Sequence, residues 1–73
     1  MQNDIKNAAF TQIIKAMQRD AEYIMSAVDL AAADIGEGRR NGSIGALAPL
    51  DTHLERMASL LAAVRAMHRL EPF

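Results

Sequence analysis

The residues of this chain that could carry chemistry are two histidines, nine carboxylates and an Arg-Arg pair, with no cysteine among them. The missing thiols remove disulfides, thiolate metal sites and a cysteine nucleophile. His53 and His68 come first, because imidazole serves both metals and proton transfer. A di-iron bundle needs Glu-x-x-His on two helices with further inward glutamates. The chain offers His53-x-Glu55 and His68-x-x-Glu71 instead, neither of which is that motif. His68 continues an apolar seam at the last turn of a helix, as a histidine stacked on a bundle end does, and His53 lies on the flank of Leu60 and Met67. No metal is expected, and a bundle binding one through both histidines is kept as a second alternative. Asp20 and Asp34 share one flank of a helix, but fourteen residues separate them by about 21 Å, too far for joint acid–base work. They form a solvated edge or pair with arginines of a neighbouring helix. Ser26, Ser43 and Ser59 have no base at helical spacing. No catalytic residue and no cofactor is expected, and the chain is not expected to be an enzyme.

The stretch "GEGRRNGSIG", residues 36–45, holds all four glycines and the pair Arg39-Arg40. A phosphate loop places such glycines between a strand and a helix, so that backbone N–H groups reach the anion. Here they follow a helix, and no Gly-Lys-Ser/Thr sequence appears. A connector is the better reading, with Gly36 as the left-handed residue that ends the helix and "RNGS" as turn chemistry. Arg39 and Arg40 then offset Asp34 and Glu37, which are unfavourable at a helix C-terminus. The sharper alternative is an exposed basic tip that contacts an anion or an acidic partner.

Two helices must position these residues. Phe10, Ile14, Met17, Ala21, Ile24, Val28, Ala31 and Ile35 repeat in alternating steps of four and three, the period of a helical seam. Helix 1 is expected over about 4–35, capped by Asn3 or Asp4. Leu50, Leu54, Met57, Leu61, Val64 and His68 repeat the same steps over about 50–70. Pro49, a Thr52–Glu55 capping box and Pro72 mark the ends of that second helix. Residues 36–48 form the Gly-rich loop of one antiparallel hairpin, a single domain over 1–73.

The helices are unequal, about 45 and 30 Å long. Folded back, the shorter should leave the start of helix 1 uncovered, with Ile5, Phe10, Ile13 and Ile14. Ile13, Tyr23, Met25 and Leu30 also widen the apolar stripe of helix 1 beyond what one partner helix covers. A chain of 73 residues has a marginal core of its own. A second hairpin completing a four-helix bundle is the simplest remedy. Phe10, Ile13, Ile14, Met17, Ile24, Val28, Leu54, Met57, Leu61 and Val64 are therefore the expected partner or self-association surface, centred on the uncovered part of helix 1 around Phe10, Ile13, Ile14 and Met17. The methionines could also suit a helix of another protein.

The rest of the composition narrows the classes. Apolar residues make up 51% of the chain, too many for a disordered segment. The net charge of −1 disfavours nucleic acid, which normally meets a basic field. No apolar run reaches the roughly 20 residues of a membrane span, and no signal peptide opens the chain. A cytoplasmic, non-enzymatic interaction module acting as a homo-oligomer is the expectation. The first alternative is a nucleic-acid-binding regulator using Lys15, Arg19, Arg39 and Arg40 on the same bundle.

Overall fold

The computed structural model describes residues 2–70, with side chains from Asn7 onward. The side chains of Asn3, Asp4 and Ile5, with Glu71 and Pro72, lie outside the described residues, and so do the cap and stop assigned to them. Every element is helical: α1 (Gln2–Gly36), α2 (Arg40–Leu47) and α3 (Leu50–Leu70). No strand occurs among the described residues.

The run between the last residue of α1's first turn and Ile35 contains neither Gly nor Pro, so nothing interrupts the i→i−4 ladder over 35 residues. The chain leaves α1 through a Schellman turn. Gly38, at φ +79°, supplies the left-handed residue. Its N–H donates to Ile35 O at 3.0 Å, and Arg39 N–H donates to Asp34 O at 2.8 Å, closing two carbonyls that the helix end leaves open. Gly36, expected to be that residue, is still helical.

The expected loop 36–48 is corrected as well, because eight of its residues are α2. Glycines 42 and 45 lower the helix propensity of "RNGSIGAL", but packing decides. α2 folds back on the last third of α1 through small residues, with Ala31 and Ser43 both buried. At Gly42 a Cβ would stand 3.0 Å from Asp34 Oδ2, so glycine lets that carboxylate close on the first turn of α2. α3 then starts at Leu50 directly after Pro49, which puts Thr52 inside the first turn and not at a cap.

α3 runs antiparallel to α1. Val64 and Leu61 flank one hollow with Ile14 and Met17, Leu54 flanks a second with Ile24 and Val28, and Met57 and Ala21 border both. This register changes the expected coverage. α2 takes the C-terminal third of α1, so α3 is displaced toward its start. Phe10, Ile13 and Met17 are consequently half-buried rather than bare, while Ile14 stays exposed as expected.

The result is thin, with extents of 55 × 17 × 13 Å. The radius of gyration is 16.7 Å, whereas a compact chain of this length has about 11 Å. Among the described residues, only Ala31 and Leu50 are buried apolar side chains. No helix among them is long and apolar enough to cross a membrane.

Candidate functional site

The α1–α3 seam separates two different surfaces. The first is apolar. Ile14, Met17, Leu61 and Val64 line one open hollow of about 580 Å³. Ile24, Met25, Val28 and Leu54 line a second of about 430 Å³. Ala21 and Met57 belong to both, so the two are one continuous face. Helical periodicity builds it: Ile14, Ala21, Met25 and Val28 lie within a narrow arc of α1. Ile14 and Met25 are 53% and 67% exposed on it. The volumes fall in the range of small-molecule sites, but such sites carry several convergent polar groups. Here Gln18 and Asp29, both at the edges, are the sole polar residues of the lining. The geometry fits helices laid along the face better than a ligand held within it.

Of the ten residues expected to form this surface, Ile14, Met17, Ile24, Val28, Leu54, Met57, Leu61 and Val64 are brought together on it. Phe10 and Ile13 are half-buried and line neither hollow.

The second surface carries a buried charge. The Asp20 side chain is 1% exposed. Its Oδ2 accepts Arg56 Nε–H at 2.8 Å, and its Oδ1 accepts Arg56 Nη2–H and, at 2.8 Å, His53 Nδ1–H. The Arg56 fork therefore grips both carboxylate oxygens from the neighbouring helix. His53 is fixed twice, since its ring also stacks on Tyr23 with centroids 4.0 Å apart and planes at 22°. The Arg56 hydrogen bonds, then the His53 hydrogen bond, hold the Asp20 carboxyl far below the usual carboxylate range, against the opposing effect of burial. A carboxylate so stabilised is a poor proton acceptor at neutral pH, and its work is to lock α3 onto α1. Among the described residues no buried side-chain nitrogen or oxygen lacks a partner.

The reading of Asp20 as part of a solvated edge is thus corrected, and pairing with a neighbouring arginine holds in its place. The sequence patterns point neither to Arg56 as the partner of Asp20 nor to Tyr23 as the ring stacked on His53. The signal that could have found Arg56 is His53-x-x-Arg56, two polar side chains on one flank of α3, set against a lone acid on α1.

At the tip, Arg39 is internally matched. Arg39 bonds Asp34 at 2.7 Å and also Glu37, and its guanidinium is held above its ordinary pKa by Asp34 first and then Glu37. With the Asp34 carboxylate already against the first turn of α2, an incoming anion would meet a negative charge there. Arg39 and Arg40 border a hollow with Gly38, Asn41 and Gly42. His53 and His68 stand about 22 Å apart along α3 and cannot share an ion within one chain. Among the described residues no three His, Asp or Glu side chains come together as a metal site. No family model, curated protein sequence or solved structure matches the chain.

Proposed function

We propose that this chain is a non-enzymatic helical interaction module that works as a homo-oligomer, with two hairpins joining their apolar faces into a four-helix bundle. The observation that carries the reading is surface area. The chain exposes 5510 Å², whereas a folded monomer of 8.0 kDa exposes about 4,450 Å². The excess of about 1,000 Å² is on the scale of the roughly 800 Å² per partner in a standard stable interface. An aliphatic face two helices wide and several turns long is available to bury area on that scale. Closing that face against an equal one would give each protomer the core that a single layer of helices cannot supply.

Sedimentation equilibrium of the full chain from 1 to 100 μM tests this. A mass twice that of the chain supports the reading. A folded, helical monomer across the whole range overturns it.

A further inference from the structure

The apolar face has a centre and two charged ends. Ala21 and Met57, shared by both hollows, mark the centre. Because α3 descends along α1, Arg65 and Arg69 stand at the level of the first half of α1, with Lys15 and Arg19. Asp51 and Glu55 stand at the other end, with Glu22 and Asp29. None of these eight side chains joins an ion pair within the described chain. Asp20 with Arg56, and Arg39 with Asp34 and Glu37, are matched internally. Among the described residues of α1 and α3, charge outside those internal pairs is therefore segregated by level, with cations on one side of Ala21 and anions on the other.

We infer that the occupant of this face is a second copy of the chain turned end for end, with the two-fold axis running across the face from Ala21 to Met57. The inference rests on the homo-oligomer proposed above and adds its geometry. Two hairpins can close face to face about two kinds of two-fold axis. An axis along the helices keeps the copies parallel and lays acid over acid and base over base. An axis across them reverses one copy, so each cationic half covers an anionic half. In that arrangement α1 packs antiparallel on the partner's α1, and α3 on the partner's α3. Small Ala21 stands at the crossing, where the long helices approach most closely. Ile14 and Val28 lie equal distances either side of Ala21, so Ile14 meets the partner's Val28. Leu54 and Leu61 lie three and four residues either side of Met57, so Leu54 comes close to the partner's Leu61. At the rim, Lys15 falls beside the partner's Asp29 and Arg65 beside the partner's Asp51.

Charge exchange tests the orientation. Lys15→Asp puts two like-charged contacts into its own dimer, and so does Asp29→Lys. Each single variant of the full chain should self-associate about 10- to 30-fold more weakly at low salt, from two rim pairs lost and reversed. An equimolar mixture of the two should recover wild-type affinity within about threefold, because the mixed dimer restores both contacts, one as in the wild type and one with its signs interchanged. In a second measurement, Ala21→Cys should give a disulfide-linked dimer on mild oxidation, and Val28→Cys should not. The antiparallel arrangement is overturned if the wild type dimerises but neither single variant weakens it, if the mixture associates no better than the variants alone, or if Val28→Cys cross-links as readily as Ala21→Cys. A monomeric wild type would instead overturn the homo-oligomer itself, before orientation is reached.

Discussion

Met25 lies on the outer edge of the apolar face, 67% exposed and clear of the Asp20 cluster, and Met25→Gln separates a lone hairpin from an associating one. Glutamine keeps the length and the helix propensity of methionine while replacing the thioether with an amide. In a lone hairpin the substitution falls on the surface, and stability should move by less than about 0.5 kcal/mol. In a dimer the account differs. Burying a methionine completely is worth about 1.5–3 kcal/mol, so a side chain still two-thirds exposed has about 1–2 kcal/mol left to gain. Symmetry doubles this to about 2–4 kcal/mol per dimer, or about 30- to 1,000-fold in Kd. Analytical ultracentrifugation gives the Kd, and circular dichroism at the same concentrations checks that helix content is kept. Leu30→Gln is the control. It is 56% exposed but lines the Tyr23 surface with Gly45 and Pro49. A Kd for Met25→Gln within threefold of wild type, or an equal shift from Leu30→Gln, would refute the reasoning.

Two glycines two residues apart should respond with opposite sign. Gly38→Ala must hold φ +79° and should lose about 1–2 kcal/mol, whereas Gly36→Ala, helical with open space around it, should gain about 0.5–1 kcal/mol, both read from urea denaturation. The depressed Asp20 carboxyl gives a pH signature with a definite sign. Its contribution is complete above the ordinary value of 3.8 and is lost as pH falls below it toward the much lower folded value. Asp20→Asn should therefore lower the urea midpoint at pH 7, with the gap to wild type narrowing at pH 3; an equal gap at both would show that the ionised form is not what stabilises. At Gly42, a methyl group would press on Asp34 Oδ2 at 3.0 Å, so Gly42→Ala should loosen α2 from α1, seen as faster amide exchange over residues 43–47, and unchanged exchange would show that the carboxylate yields freely.

The long helices were legible because each repeats its apolar residues at four and three over many turns. The face they build was legible for the same reason, down to Ile14, Val28, Leu54 and Leu61. What escaped depends on partners far away in the chain. α2 was hidden by its glycines, which lower local propensity while permitting the close packing that makes it a helix. Its length then decided where α3 falls on α1, so coverage of Phe10 and Ile13 could not be worked out from helix lengths alone. Asp20 looked like one more acid on a polar flank. Only the register brings Arg56 and His53 to it, from 36 and 33 positions along the chain. Gly36 and Gly38 were equivalent as letters, and the backbone geometry of the turn chose between them.

A slab 13 Å thick encloses little: among the described residues, Ala31 and Leu50 are its only buried apolar side chains. In the proposed dimer, gaining a core and meeting a companion are coupled through mass action. Its melting temperature should then climb with the logarithm of concentration, and dilution alone should work as a denaturant.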